Sequence, residues 1–365
     1  MDTAEMVLAM LPDYDNLTLS FALIPKSLAT LNTVYNEETG KYEYVMNGEK
    51  YTYTENKSTI EFWDNVLKAG DGRFEFISHT MTHSYWGTND EGGTFSYVSD
   101  GEVKTVVLPV GSASAEIYAS IQILNDLYGI DMKTLVEPGI GVEKNDVTID
   151  GVTYESYHKY YLQLISKAYE EGVLIGVRGN GFGDTAVSPD KVVTPEMLAD
   201  VAERLDINAL TARHTQNVEN WKKYIDYATD VGGWAVFCLH KIIADGTDDT
   251  NIHIFESQAD ELFSYTDNEN VWVATYTEAT KYYTEWSTAE VSVECNDGVI
   301  SVTLTDAENN EVYDEALTVK VTVPTGWTEC IVGDKTVEVM VDENGESFVY
   351  VNIVPDSGVV TITRK

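Results

Sequence analysis

The chain has 365 residues, 43% of them hydrophobic, enough for more than one ordinary domain with a sizeable core. Its 61 Asp and Glu outnumber 23 Lys and Arg, a formal net charge of -38, which makes nucleic acid and anionic membranes poor partners. No apolar run reaches the length of a membrane span, and three cysteines (Cys238, Cys295, Cys330) are too few for a disulfide framework, although a Cys295–Cys330 pair stays open.

Met1 to Leu11 reads as a helix, with Met6, Val7, Met10 and Leu11 on one face and Asp2 or Thr3 as its cap; no secretory leader is read ahead of it. Leu17, Leu19, Phe21 and Leu23 alternate as a strand. Thr33 to Asn56 reads as a hairpin turning at Asn47-Gly48, with Tyr42 and Tyr44 facing Tyr51 and Tyr53. Ser58 is the expected cap of a helix through Leu67 that ends at Gly70. The strand at Phe74 and Phe76 runs into His79-x-x-x-His83, and the polar stretch from Gly87 to Gly101 reads as a second hairpin over that pair.

Strand and helix then alternate. Helices are expected at Ser114–Tyr128, Ser156–Glu171, near Pro195–Arg204, at Asn217–Thr229, Ile254–Tyr265, and up to Trp286. Strands are expected at Thr134–Glu137, Val173–Val177, Trp234–Leu239 and Val271–Thr275. This alternation predicts an α/β fold with a parallel sheet, and the number of units suggests a barrel over residues 1–286. From 287 to 365 only short alternating runs and turn signals remain, which predicts an all-β, immunoglobulin-like sandwich. A spacer role and sugar binding are both open for it.

In a parallel α/β barrel, functional groups gather at the carboxyl ends of the strands. His79, His83, Glu137-Pro138-Gly139, Arg178 and His240 fall there, with Glu278 just past the last predicted strand. Imidazoles four residues apart suit one divalent metal. His158, His214 and His253 fall in helices or loops and are expected at the surface or satisfied in the core; Cys238 is expected as a buried thiol.

Taken in order, these segments resemble the NodB-homology polysaccharide deacetylases. Ile77-Ser78-His79-Thr80-Met81-Thr82-His83 is similar to that family's metal motif. Val136-Glu137-Pro138-Gly139 resembles its groove loop, and Val177-Arg178-Gly179 a strand-end Arg of one branch. Phe237-Cys238-Leu239-His240 resembles its late Leu-His motif, and Val271–Thr275 with Glu278-Ala279 and Tyr282 its closing segment. The resemblance implies a deformed (β/α) barrel and a divalent metal, zinc, held by His79 and His83. It implies His240 as general acid, and Pro138, Gly139 and Arg178 as groove residues. The implied activity is metal-dependent hydrolysis of acetyl groups from an N- or O-acetylated polysaccharide, outside the cell or at its surface. The family also opens with a strand ending in an Asp pair, which supplies a third ligand and a base. That strand is expected to be missing here, which would leave this chain weakly active. Two rivals stand beside this reading: a glycoside hydrolase using Glu137 and Glu278, and a non-catalytic carbohydrate-binding protein.

Overall fold

In the computed structural model the described residues are 3–30, 34–36, 38, 41–46, 49–51, 54–83, 93–99, 101–108, 115–139, 145–247 and 252–365. They divide into two compact units, Met1–Thr194 with Val201–Thr277, and Pro195–Asp200 with Glu278–Lys365.

The first unit is built on six parallel strands: β1 (Leu19–Leu23), β2 (Phe74–Ser78), β3 (Thr134–Val136), β4 (Gly176–Phe182), β5 (Ile207–Thr211) and β6 (Phe237–Cys238). They lie side by side in chain order. A doubly wound sheet reverses its order at a switch point; this sheet has none, as in a barrel wall. The wall is open: among the described residues β1 and β6 each have one neighbour in it.

Helices cover the wall, and their ends follow from local chemistry. Thr3–Met10 (α1) buries Ala4, Met6, Val7 and Met10. Lys57–Ala69 (α2) is capped by Asn56, whose Oδ1 accepts the Thr59 N–H at 3.4 Å; Ser58 instead donates its hydroxyl to Asn56. Ser120–Tyr128 (α3) follows a π-turn at Ala115–Ala119 and stops at Gly129, whose φ of 65° is the left-handed cap expected of glycine. Tyr157–Glu170 (α4) starts from Ser156, and Val218–Val231 (α5) from Asn217. Glu256–Thr266 (α6) packs on α5. The largest apolar cluster joins α1, α5 and α6 through Met6, Trp221, Tyr224, Ile225, Leu262 and Phe263.

Several elements differ from the sequence reading. β5 was not foreseen, because Asn208 and Ala209 are poor strand formers and the run is only five residues long. β4 starts three residues later than expected and runs through Arg178-Gly179-Asn180-Gly181, so those residues lie within the strand rather than after it. Two of its glycines face β5 across a register shift, where a Cβ at Gly179 would collide with Asp206 and one at Gly181 with Thr211. The expected strand Trp234–Leu239 contracts to β6, and Pro195–Arg204 splits into two single turns. Val271–Thr275 forms no strand, and Trp272 is exposed. The chain is gripped just beyond it: the Tyr276 N–H donates to Ser20 Oγ (2.7 Å) and the Thr277 N–H to Glu75 Oε1 (3.0 Å).

The tyrosine-rich segment is a three-stranded antiparallel sheet of Val34–Asn36, Lys41–Met46 and Glu49–Tyr51; its turn Asn47-Gly48 and Tyr53 lie outside the described residues. Gly93–Ser99 and Glu102–Leu108 pair as a hairpin, and residues 84–92 before it are not described. No helix among the described residues is long and apolar enough to cross a membrane.

In the second unit, helix Tyr276–Thr288 (α7) leads into Glu290–Asn296 (β7), Val299–Thr305 (β8), Leu317–Thr322 (β9), Glu329–Val332 (β10), Lys335–Glu338 (β11), Met340–Val341 (β12), Ser347–Ile353 (β13) and Val359–Arg364 (β14). They form two antiparallel sheets, β7-β8-β14-β10-β11 and β9-β13-β12. Ile300, Val302 and Leu304 of the first share a core with Val349, Val351 and Ile353 of the second. Two strands separate Cys295 on β7 from Cys330 on β10, roughly 14 Å at the usual strand spacing. That exceeds disulfide reach; both thiols are free.

Glu285, on α7, is fully buried; its Oε2 accepts the Glu315 N–H at 3.0 Å, while Oε1 has no hydrogen-bond partner. Burial, reinforced by Asp306, Glu315 and Asp314, pushes its pKa up to about 8. The folded pKa lies above the unfolded one, so the neutral carboxyl's contribution is complete below the ordinary Glu range and is lost as pH rises toward 8. Calorimetry of the chain should therefore show stability falling between pH 5 and pH 8, by at most about 1.4 kcal/mol per pH unit from this proton. Glu285→Gln should flatten that slope, and an unchanged slope in the variant would remove Glu285 as its source. Gly179→Ala, by overpacking the β4–β5 contact, should cost about 1–3 kcal/mol in denaturant unfolding.

Candidate functional site

The histidine pair lies on a loop that leaves β2 under heavy restraint. The His79 N–H continues the pairing with β1 by donating to Leu23 O (2.8 Å), after which the chain turns sharply. Thr80 and His83 both sit at φ 60°, a left-handed conformation uncommon for any side chain and a true outlier for β-branched threonine. Glu116 holds them there. Its Oε2 accepts the Thr82 N–H (3.0 Å), its Oε1 the Thr82 hydroxyl (2.6 Å), and its backbone carbonyl the Met81 N–H (3.0 Å). The Thr80 side chain bonds the same carboxylate. Glu116 is 8% exposed, and burial raises its pKa against the opposing effect of these bonds.

The strained turn sets the two imidazoles edge to face, ring centroids 4.5 Å apart. His79 Nδ1 lies 2.9 Å from Val136 O at the end of β3. A carbonyl only accepts, so Nδ1 carries the proton and Nε2 keeps its lone pair, the arrangement a metal-ligating histidine uses. Burial holds His79 down to about 3 against the opposing Val136 bond, with His83, Arg178 and His240 adding to the lowering. Burial and Arg178 likewise lower His83. Both are neutral at pH 7, the state in which imidazole binds a cation.

Strand register places the other groups. Ser78 lies opposite Leu135, and Val136 opposite Arg178, so His79, Val136 and Arg178 form one row across β2, β3 and β4. Thr211 lies opposite Cys238, which puts Arg213 and His240, each two residues further on, side by side beyond β5 and β6. Partial desolvation, then Arg178, Arg213, His253 and His83, lower the pKa of His240. Sequence reasoning therefore brought together His79, His83, Arg178 and His240. It missed Arg213, because β5 was missed, and Glu116, which reads as an ordinary acid in a helix's first turn. His253 also bears on His240, placing it nearer this cluster than its loop context suggested.

Other expected groups are occupied elsewhere. Glu137 is 1% exposed, and its Oε1 lies 3.1 Å from His158 Nδ1, whose Nε2 is 3.7 Å from Asp206 Oδ2. Glu137 is thus engaged in a Glu–His–Asp chain rather than exposed to solvent. Glu278 belongs to the second compact unit. Pro138 is buried and Gly139 exposed, directly after β3. Cys238 is half-buried, more open than expected. No cluster of three or more His, Cys, Asp or Glu suited to a metal occurs among the described residues.

Zinc titrated into the wild type should bind, and the His79→Ala/His83→Ala double variant should not; equal affinity would sink the assignment. Glu116→Gln should weaken binding by about 10- to 100-fold, the usual worth of an outer support, with far-UV circular dichroism unchanged.

No family model matches the chain. A gellan lyase from a Bacillus species is 29% identical over 140 residues, covering 36% of this chain and only 6% of that protein.

Proposed function

We propose that the strand ends form the mouth of a metal-dependent hydrolase that removes acetyl groups from an N- or O-acetylated polysaccharide. The observation that carries this reading is His79: neutral, with Nδ1 committed to Val136 O and Nε2 left for a ligand, beside an equally neutral His83. The pair fits a divalent ion such as zinc, which when bound would polarise the acyl carbonyl. The protein's own groups contribute substrate orientation and a proton for the leaving group. Arg178 and the Pro138-Gly139 turn flank the pair and orient the sugar. His240 delivers a proton to the leaving amine or hydroxyl, and its lowered pKa makes the imidazolium a strong donor. The partial likeness to a gellan lyase is in keeping with a polysaccharide partner. Such a substrate places the protein outside the cell or at its surface.

Acetate release from acetylated chito-oligosaccharides and acetylated xylan tests the reading. Activity should vanish with chelator, return with added zinc, and fall roughly 10²- to 10⁴-fold in His240→Ala. Chelator-insensitive release, or an active His79→Ala/His83→Ala variant, would refute it.

A further inference from the structure

The Glu137–His158–Asp206 chain has no part in the proposed reaction, yet it lies one residue from the group that fixes His79. His79 Nδ1 donates to Val136 O (2.9 Å), and the Glu137 N–H donates to Arg178 O (2.8 Å). That carbonyl and that N–H belong to one peptide unit, which is trans and therefore a rigid plane with the two groups pointing opposite ways. The plane reaches from His79 on one side to β4 on the other, and any change in its tilt moves both contacts together. Backbone pairing restrains it lightly on the His79 side. β3 has three residues and meets β2 at the single pair Leu135–Ser78.

A further restraint comes from the Glu137 side chain. Pro138 confines Glu137 to extended backbone, and the Glu137 carboxylate, 1% exposed, accepts from His158 Nδ1 at 3.1 Å. His158 is itself fixed at both ends. Its N–H donates to the cap residue Ser156 (3.1 Å), whose own N–H donates to Asp146 Oδ1 (2.8 Å). It stands one turn before Tyr161 and two before Ile165, which pack with Leu135 of β3 and Val177 of β4. Its Nε2 lies 3.7 Å from Asp206 Oδ2, and the Asp206 carboxylate fills the space that Gly179 leaves by lacking a Cβ. An apolar pair would cover β3 as well without burying a carboxylate, which is costly to desolvate. We infer that His158 is a positioning residue for His79. Through Glu137 it sets the tilt of the Val136–Glu137 peptide, whose carbonyl keeps the His79 proton on Nδ1 and leaves Nε2 as the acceptor. The consequence for zinc rests on the function proposed above; the placement of the His79 proton does not.

Two amide replacements separate the contacts, because an Asn amide nitrogen falls near the position of Nδ1 and a Gln amide nitrogen near that of Nε2. His158→Asn keeps a donor for Glu137, and His158→Gln keeps one for Asp206 alone. The readout is the His79 ring in the full chain, carrying isotope-labelled histidine, with chelator present. Long-range proton–nitrogen NMR correlations identify its tautomer, and His79→Gln assigns the signals. Wild type and His158→Asn should show the Nδ1–H form, whereas His158→Gln should show a mixture of both forms. Glu137→Met fills the same space without an acceptor and should match His158→Gln, so the test does not hang on the folding of one variant; circular dichroism checks each. A merely structural chain would lower the unfolding midpoint in all three variants and leave the His79 tautomer unchanged. That result, or an Asn variant as mixed as the Gln variant, would overturn the positioning role. Zinc titration of the same proteins reports separately on the metal. His158→Gln and Glu137→Met should bind about 10- to 100-fold more weakly, the usual worth of an outer support, and His158→Asn should stay close to wild type. A tautomer change with no zinc bound even by the wild type, or with zinc affinity unchanged, refutes His79 as a zinc ligand and leaves the positioning role standing.

Discussion

One buried carboxylate sets the geometry of the candidate site. A threonine and a histidine at φ 60° would not stay there unaided, since each such residue costs on the order of 1–3 kcal/mol. Glu116 offsets that cost with hydrogen bonds to Thr82 and Thr80 through its side chain and to Met81 through its backbone. The clamp stands on a π-turn that runs into α3, and α3 is tied to β2 by the Ser78–Ser120 hydroxyl contact at 2.5 Å, both residues fully buried. The strain is thus held by a buried part of the first unit. On this turn the two imidazoles lie edge to face with ring centroids 4.5 Å apart.

The sheet supplies the second constraint. Because its six strands follow chain order, each strand end adds one position to a continuous rim, and register decides which groups meet. The shift between Arg178 and Gly181 staggers β5 against β4, so the residues level with His240 come from beyond Thr211 rather than from β4 itself. That stagger needs glycine at 179 and 181, where β4 passes too close to Asp206 and Thr211 for a side chain. The motif around Arg178 therefore serves packing as much as chemistry.

What could be read from the sequence divides along physical lines. The alternation of strands and helices, the change to antiparallel strands near the C-terminus and the capping glycines at 70 and 129 depend on local pattern, and these were legible. So were His79, His83, Arg178 and His240, which follow or sit within recognisable apolar runs. What escaped depends on distant partners. Ile207–Thr211 is a strand because β4 and β6 flank it, not because Asn208 and Ala209 favour one. Val271–Thr275 has a strand's composition without forming one. Glu137 looked available in sequence, but His158, 21 residues later, engages it. Glu116 and Arg213 gain meaning only from folding that brings positions 82 and 240 to them.

The two units treat uncompensated charge in opposite ways, and the contrast bears on function. In the second unit Glu285 is buried without a cation, and its raised pKa lets it shed the charge by binding a proton. That is a structural solution, available because no ligand is needed. Arginine has no such recourse, since it stays protonated at any pH the fold survives. Arg178, half-buried among three imidazoles whose pKa values it helps to lower, must keep its charge and make them poorer proton carriers in doing so.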